Sequence, residues 1–317
     1  MLSEMSGTEK EKITLDGYSR EEVTCVICGV RDAEFLFNTP EKIVKCQRCG
    51  LVYVDPRLDV ESLAKVYSKS YFISDADDPG VDYKAYANYI SDEKVILRSM
   101  HRRMQKVEKY APGKGRLLDV GCAAAFSLLA AQQRGWDADG IEYSDFCVDY
   151  ARSRGLKVHH GGLDNFQSLP ESFEAITMWD YLEHSNNPLE ELKTCHRLLK
   201  NQGVVVLSIP NVDSWSYSLL KEKWIGFKNI EHFYFYSRKT LARIAEMAGF
   251  ELEHSFYQGK YLSLSFFLSR VQYYTKFKPL LNVIEKVANC RPAQDISFYL
   301  NPFDILNVVL RKKDHMD

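Results

Sequence analysis

Four of the eight cysteines in the chain occur in two Cys-x-x-Cys pairs. Cys25 and Cys28 form the first pair, Cys46 and Cys49 form the second, and a glycine follows each pair. A tight turn of this kind aims two thiolates at one point, so two such turns supply the four sulfur ligands of a tetrahedral zinc site. Four thiolates leave no open coordination position, and the spacing therefore predicts a structural zinc ion. A redox pair or disulfides are the competing interpretations.

A second group of residues surrounds a glycine between a predicted strand and a predicted helix. Leu117, Leu118 and Val120 form a short apolar run that is typical of a buried strand, and Gly121 ends it. The small residues 123–125 would let a ligand lie against the exposed backbone N–H groups of the turn. Asp119 precedes the glycine, and Glu142 ends the next strand-like run, where a carboxylate can accept hydrogen bonds from ribose hydroxyls. The spacing predicts a nucleoside site, and an ordinary strand–turn–helix unit is the alternative.

This pattern resembles the Asp-x-Gly-x-Gly-x-Gly motif of class I S-adenosylmethionine-dependent methyltransferases. The resemblance implies that Asp119 faces the methionine ammonium side of the cofactor and that Glu142 holds the ribose. Ala123 and Ala125 stand where the family usually has glycine, so a positive φ at either position would carry a steric cost. The residues that the resemblance places around the cofactor are Asp119, Gly121, Cys122, Ala123, Glu142, Tyr143, Leu163, Asp164, Trp179 and Asp180.

Two later segments contain potential acid–base residues. The run 179–184, Trp-Asp-Tyr-Leu-Glu-His, resembles the fourth motif of small-molecule methyltransferases. The run Glu231-His232-Phe-Tyr-Phe-Tyr-Ser resembles a segment of zinc-ribbon methyltransferases, including deoxysugar C-methyltransferases, in which the histidine is a candidate general base. A neutral imidazole suits the removal of a proton from an acceptor. We therefore predict His232 as the base, with Glu231 orienting it and His184 as the alternative; a structural histidine at position 232 is the competing interpretation.

The order of the predicted elements, together with the resemblance, implies an α/β fold. We expect a Rossmann-like seven-stranded methyltransferase sheet with an antiparallel last strand, preceded by a small N-terminal zinc ribbon and a helical linker. The expected division is a flexible leader at 1–22, a zinc ribbon at 23–56, a helical linker or cap at 57–112, and a methyltransferase domain at 113–317 with a helical insertion at 261–288. In methyltransferases the helices before the first strand commonly cover the cofactor, which implies that a tyrosine of the linker reaches the pocket.

Composition restricts the partners of the chain. Its 317 residues include 41 Lys and Arg against 43 Asp and Glu, a net charge of −2, so it lacks the basic excess of a non-specific nucleic-acid binder. The sequence contains no apolar run long enough to span a membrane and no signal-peptide core at its N-terminus. We expect a cytoplasmic protein, and we expect packing rather than peripheral membrane contact from the insertion.

The resemblance to class I methyltransferases implies methyl transfer from S-adenosylmethionine, and we expect the acceptor to be an oxygen or carbon of a small molecule or saccharide precursor. A quinone or lipid acceptor is the alternative within the enzyme class, and a non-catalytic zinc-ribbon binding module is the alternative outside it. Asn229 stands two positions before Glu231, where the deoxysugar enzymes usually carry tyrosine, which argues against that substrate.

Overall fold

The computed structural model describes residues 18–39, 41–67, 72, 89–227, 230–264, 266–268 and 296–313. Its strands are β1 (Arg20–Glu21), β2 (Ala33–Thr39), β3 (Glu41–Cys46), β4 (Val52–Val54), β5 (Arg57–Leu58), β6 (Arg116–Val120), β7 (Asp137–Glu142), β8 (Lys157–His160), β9 (Phe173–Trp179), β10 (Leu199–Pro210), β11 (Tyr234–Phe235), β12 (Phe250–Tyr257), β13 (Lys260–Ser263), β14 (Ser297–Leu300) and β15 (Ile305–Lys312). Its α-helices are α1 (Val60–Val66), α2 (Glu93–Tyr110), α3 (Phe126–Gln133), α4 (Asp145–Ser153), α5 (Pro188–Leu198), α6 (Trp215–Leu220) and α7 (Arg238–Met247).

Seven strands form the central sheet, in the order β12-β15-β10-β9-β6-β7-β8. The five strands from β10 to β8 run parallel, whereas β15 is antiparallel to both of its neighbours, β10 and β12. The predicted α/β fold with an antiparallel last strand is confirmed. The strand order also reverses beside β6, so the loops that follow β6 and β9 open a crevice at the carboxyl ends of the strands, where such sheets bind ligands.

The helix α7 shows how a helix is positioned against the sheet. In α7 the side chain of Ser237 accepts a hydrogen bond from the backbone N–H of Thr240, and the Thr240 side chain accepts one from Ser237 N–H. This reciprocal cap satisfies two backbone donors at the helix start. Leu241, Ile244 and Ala245 then recur at helical spacing and are fully buried. The helix is thereby fixed directly after the segment that contains His232.

The N-terminal ribbon shares a sheet with the methyltransferase region. Strands β2, β3 and β4 are joined by β11 in the order β11-β4-β3-β2. Tyr234 pairs with Tyr53 and Phe235 with Val52 in an antiparallel register. The predicted ribbon strands are therefore present, but a fourth strand reaches them from far along the chain, which local sequence patterns do not indicate.

An apolar cluster lies at this junction. Its buried members come from the ribbon and from the segment around β11, and they are Ile43, Val52, Val54, Trp224, Phe227 and Phe235. The ring centroids of Phe227 and Phe235 are 4.7 Å apart in an edge-to-face arrangement. The ribbon and the methyltransferase region thus bury one common core.

Two predicted boundaries are wrong. The leader does not extend to residue 22, because β1 pairs with β5 and Arg20 forms an ion pair with Glu41 at 2.9 Å. The insertion does not begin as a helix at residue 261, because β13 pairs antiparallel with β14. The rest of the insertion from 269 to 288 and the linker tyrosines at 71, 83 and 86 lie outside the described residues.

Within the described ranges, we find no helix that combines the length and the apolar character needed to cross a bilayer.

The shared core predicts a difference between two phenylalanines of the ribbon sheet. Phe235 is 1% exposed, so Phe235→Ala should lower the free energy of unfolding by about 3–5 kcal/mol through the lost burial and the cavity that remains. Phe35 in β2 is 61% exposed, and Phe35→Ala should change the free energy of unfolding by no more than about 0.5 kcal/mol. Denaturant unfolding measures both variants, and equal losses would contradict a core shared across the junction.

Candidate cofactor and acceptor site

The turn after β6 has the left-handed backbone that the glycine-rich motif provides in other sequences. Gly121, Ala123 and Ala125 have φ values of 71°, 49° and 61°. Two alanines therefore adopt a conformation that favours glycine, at a cost of about 1–2 kcal/mol each. The backbone N–H groups of Gly121 and Cys122 both donate to the carbonyl oxygen of Ile141, at 2.9 and 3.1 Å. These bonds attach the turn to the end of β7 and help to hold the strained conformation.

Glu142 closes the turn from the other side. Its Oε2 atom accepts a hydrogen bond from the N–H of Ala123 at 2.8 Å, and its Oε1 atom accepts one from the N–H of Ser144 at 2.8 Å. Burial raises the pKa of Glu142, and these backbone donors oppose that shift. A carboxylate oxygen has more than one acceptor position, so the arrangement fits a carboxylate that also accepts bonds from the two hydroxyls of a ribose.

Gly121 is required by close packing as well as by its φ. A Cβ atom at this position would lie 2.2 Å from Cδ2 of Tyr181. The ring of Tyr181 thus lies directly against the turn, in the loop after β9. Sequence reasoning identified the loop but did not assign this residue a position beside the glycine.

Asp119 is buried beneath the turn and is 1% exposed. Its carboxylate oxygens accept hydrogen bonds from the hydroxyls of Ser127 and Thr177. Burial raises the pKa of Asp119 to about 6, and the two hydroxyl donors oppose the shift. Asp119 therefore ties β6 to the start of α3 and to β9; its predicted role beside the methionine ammonium group stays a prediction.

The residues predicted on the adenine side lie along the next loop. Tyr143 is 52% exposed, and its hydroxyl lies 3.5 Å from Oδ1 of Asp164. A Cβ atom at Gly162 would lie 2.3 Å from the same hydroxyl. Leu163 is buried between these positions. Tyr143 and Asp164 thus lie side by side, and their predicted role at the cofactor stays a prediction.

The carboxylate of Asp180, just after the end of β9, is contacted by two cations and a hydroxyl donor. Lys260 Nζ lies 2.9 Å and an Arg103 guanidinium nitrogen 3.1 Å from its Oδ2 atom, and the Ser208 hydroxyl donates to Oδ1 at 2.9 Å. Burial would raise the pKa of Asp180, but the charges of Lys260 and Arg103 outweigh burial and hold that pKa well below its usual range. The Arg103 guanidinium also stacks on Trp179, 4.7 Å from the ring centroid. Sequence reasoning missed both cations, since nothing near Asp180 in the sequence points to α2 or β13.

His184 and His232 come together although they are far apart in the sequence. Their ring centroids are 4.6 Å apart and the rings are nearly perpendicular, at 86°. The Nδ1 atom of His184 lies 3.1 Å from the carbonyl oxygen of Glu231, and that of His232 lies 3.1 Å from the carbonyl oxygen of Gly226. A carbonyl oxygen only accepts, so the hydrogen bond between Gly226 and His232 requires the proton of that ring on Nδ1.

Both imidazoles are neutral at pH 7. Burial lowers the pKa of His232 to about 4. Burial, and secondly the neighbouring His232, lower the pKa of His184 well below its ordinary value. The backbone carbonyl of Gly226 lies in hydrogen-bond contact with the His232 ring; the predicted orienting role of Glu231 stays a prediction.

Tyr67 is the linker tyrosine that reaches the site among the described residues. It directly follows α1, and its hydroxyl lies 3.0 Å from Nδ1 of His184. The sequence predicted a tyrosine from this region without selecting one. Tyr67 is the tyrosine that reaches His184 because α1 lies beside it, and the position of α1 depends on its packing against the ribbon.

The four paired cysteines have the geometry that zinc requires. One sulfur atom from each of Cys25, Cys28, Cys46 and Cys49 lies within 4.8 Å of the others, and the Cys25 and Cys49 sulfurs are 3.5 Å apart. A tetrahedral zinc ion with zinc–sulfur bonds of about 2.3 Å would separate its ligands by roughly 3.8 Å. The left-handed glycines Gly29 and Gly50 close the two turns, as their N–H groups donate back to the first cysteine of each pair. The residues therefore fit the predicted metal.

Comparison with known protein families identifies a methyltransferase domain in the chain. A family model described as a methyltransferase domain matches residues 91–255, which is more than half of the 317 residues.

Similar curated proteins include ubiquinone biosynthesis O-methyltransferases. The one from Pseudomonas paraeruginosa is 32% identical over 147 residues, which cover 43% of this chain and 63% of the relative. The one from Dechloromonas aromatica is 30% identical over 151 residues, which cover 44% of this chain and 65% of the relative. The match spans less than two thirds of the length of these relatives.

Similar solved structures include a SAM-dependent methyltransferase from Archaeoglobus fulgidus, at 17% identity and a TM-score of 0.48, covering 71% of this chain and 99% of that chain. The YcgJ protein of Bacillus subtilis is 15% identical with a TM-score of 0.47, covering 69% of this chain and 99% of that chain. The fold assignment itself rests on the strand order described above.

The raised pKa of Asp119 predicts a pH-dependent stability. Because the folded-state pKa of about 6 lies above the ordinary value of 3.8, the folded chain favours the protonated form, and ionisation costs stability as the pH rises through this range. Between pH 4 and pH 7.5 the free energy of unfolding of Asp119→Asn should therefore gain about 2 kcal/mol relative to the unsubstituted chain. Denaturant unfolding at several pH values measures the difference, and a difference independent of pH would exclude Asp119 as the titrating group.

Proposed function

The chain belongs to the methyltransferase domain family, and on this premise we propose that it transfers a methyl group from S-adenosylmethionine to a small-molecule acceptor. The observation that carries the proposal is the contact between Glu142 and the turn at Ala123. It provides an acid at the end of the second parallel strand beside a glycine turn at the end of the first, which is the arrangement that a nucleoside cofactor needs.

The cofactor supplies an electrophilic methyl group on a sulfonium centre. In our proposal Glu142 holds the ribose, Tyr143, Leu163 and Asp164 enclose the adenine, and Asp119, through Ser127 and Thr177, holds the turn in shape. Trp179 and Asp180 then lie beyond the methionine end, next to the two histidines. The protein contributes alignment of the acceptor and exclusion of water, which are the main requirements of an in-line displacement.

His232 is our proposed proton acceptor, and His184 is the alternative. Support comes from the shared geometry: the two rings lie 4.6 Å apart, and a backbone carbonyl lies 3.1 Å from Nδ1 of each ring and so fixes its direction. Glu231 contributes through its backbone, since its carbonyl oxygen holds His184.

A hydroxyl oxygen is the favoured acceptor atom. The support is that similar curated proteins are named ubiquinone biosynthesis O-methyltransferases, and that a carbon acceptor has no comparable support. The same names favour an aromatic, quinone-related acceptor as a second candidate beside a saccharide precursor. Zinc bound by Cys25, Cys28, Cys46 and Cys49 is proposed as structural, because four thiolates complete its coordination.

Cofactor binding tests the proposal. Calorimetry with S-adenosylmethionine should detect binding to the unsubstituted chain, and Glu142→Gln should weaken it by about 10- to 100-fold, since a bond to a charged acceptor contributes about 1.5–3 kcal/mol. Glu190→Gln on the exposed face of α5 is the matched control and should bind normally. Absence of binding by folded, zinc-loaded protein would reject the proposed activity. Incubation with methyl-labelled cofactor and separate phenolic and saccharide fractions of cell extract then identifies the acceptor class.

The histidine assignment has a separate test. His232→Ala should reduce kcat by about 10²- to 10⁴-fold while the cofactor still binds, because the substitution removes a group that acts on the acceptor. His254→Ala, on an exposed position of β12, is the matched control. Unchanged kcat in His232→Ala would reject this residue as the proton acceptor.

A further inference from the structure

A cavity of about 290 Å³ lies between α2 and the end of β12. Its lining residues come from α2, from the end of β12 and from β14, and they are Arg102, Gln105, Lys106, Phe256, Tyr257, Gln258 and Tyr299. Because β10 and β12 are both antiparallel to β15, β12 ends at the same edge of the sheet as the candidate site. The ends of β12 and β9 are three strand spacings apart, or roughly 14 Å. The cavity is therefore a neighbour of the candidate site.

The two cations of the cavity form no ion pair with an acid in the described part of the chain. Arg102 and Lys106 are four residues apart on α2, which places them on one face of the helix. The two acids of the same helix, Glu93 and Glu108, pair instead with arginines elsewhere in the chain. Like charges at this spacing repel each other, so an anion bound between Arg102 and Lys106 would relieve the repulsion.

Aromatic rings hold both cations at the cavity. The guanidinium carbon of Arg102 lies 4.4 Å from the ring centroid of Tyr299, and Nζ of Lys106 lies 5.4 Å from that of Phe256. The Tyr299 hydroxyl accepts a hydrogen bond from the N–H of Gly259 at 2.9 Å, which fixes the ring. A cation over a ring face keeps N–H donors for an anion. The cations are thus positioned before any ligand binds.

A buried amide of the cavity also lacks a partner. Gln258 is 7% exposed, and its Oε1 atom accepts no hydrogen bond from a described residue. A buried oxygen of this kind is costly unless a donor reaches it. A ligand that suits the cavity therefore brings an O–H or N–H donor as well as negative charge.

We propose that this cavity binds the phosphate monoester of a small hydroxylated molecule. A phosphate monoester carries a charge of about −1.5 to −2 at pH 7, which matches two cations, and its oxygens accept several N–H bonds at once. A hydroxyl of the ligand supplies the donor that Gln258 lacks. The volume of about 290 Å³ lies at the lower end of the range for small-molecule sites.

Two short connections join this cavity to the candidate site. Arg103 follows Arg102 on α2, Lys260 lies two residues after Gln258, and both Arg103 and Lys260 pair with Asp180. The phosphate can belong to the far end of the methyl acceptor or to a separate small molecule. The first source rests on the proposed methyl transfer, whereas the binding itself does not.

Calorimetry on the full-length, zinc-loaded chain tests the binding. Glycerol 3-phosphate should bind at least about 10-fold more tightly than glycerol, because hydrogen bonds to a charged group contribute about that factor or more. Arg102→Gln and Lys106→Gln should each weaken the binding of glycerol 3-phosphate by about 10-fold or more. Lys94→Gln is the matched control and should bind normally, since it removes the same charge from an exposed position of α2 outside the cavity.

Two results would overturn the site: equal affinity for glycerol and its phosphate, or equal losses in all three variants, which would indicate a general effect of charge. Methyl phosphate tests the hydroxyl separately. It brings no donor for Gln258 and should bind about 2- to 10-fold more weakly than glycerol 3-phosphate. Equal binding of the two phosphates would overturn the predicted contact with Gln258.

Methyl transfer from labelled cofactor to components of cell extract distinguishes the two sources. If the phosphate belongs to the acceptor, glycerol 3-phosphate should compete with it, and Arg102→Gln should raise its apparent KM by about 10-fold with little change in kcat. If the phosphate belongs to a separate molecule, competition should be absent. Loss of all methyl transfer by the unsubstituted chain would reject the proposed function, while the calorimetric result would still decide the cavity.

Discussion

The backbone of Phe233 makes the connection on which the site depends. Its carbonyl oxygen accepts a hydrogen bond from Val54 of the ribbon at 2.9 Å, and its N–H donates to the carbonyl oxygen of Glu183 at 2.8 Å. One peptide segment is thus held between the ribbon sheet on one side and the loop after β9 on the other. His232 directly precedes Phe233, so its distance from His184 is set by these two backbone bonds. The N-terminal ribbon is therefore part of the frame of the site, and not a separate module attached to it.

Burial determines the chemistry of the groups that meet there. Removal from water lowers the pKa values of His184 and His232, which keeps the imidazoles neutral. Asp180 is only partly buried, with 32% of its side chain exposed, and it stays ionised because Arg103 and Lys260 stabilise its charge. The two imidazoles are therefore uncharged and the Asp180 carboxylate is charged for one physical reason: a charge withdrawn from water persists only beside an opposite charge.

The cofactor side shows how a departure from a motif can be tolerated. Ala123 and Ala125 keep the left-handed backbone that glycine would adopt without strain. The strain is localised in a turn that backbone bonds to Ile141 and the Glu142 carboxylate hold from two directions. Since the turn keeps its shape, the alanines alter the energy of the site more than its geometry.

Much of the architecture was predictable because local sequence patterns indicate the strands and turns. The buried strand at 116–120, the cysteine turns, the strands β7 to β10 and the strand β12 each have an apolar period or a turn residue that acts over a few positions. The limits of the leader and the start of the insertion were wrong, since β1 and β13 are short strands that exist only because a distant strand pairs with them. Short segments of that kind have no period long enough to recognise.

The candidate site was likewise predictable only in part. By itself the sequence determined which chemical groups are present, namely the acids around Gly121, the two histidines and the four thiols, because side-chain type and spacing are local properties. Only the tertiary structure decided that Arg103 and Lys260 neutralise Asp180, that Tyr67 reaches His184, and that Glu183 joins the two histidines. Those relations join residues from separate elements, and their distances follow from strand pairing and core packing, which no short stretch of sequence contains.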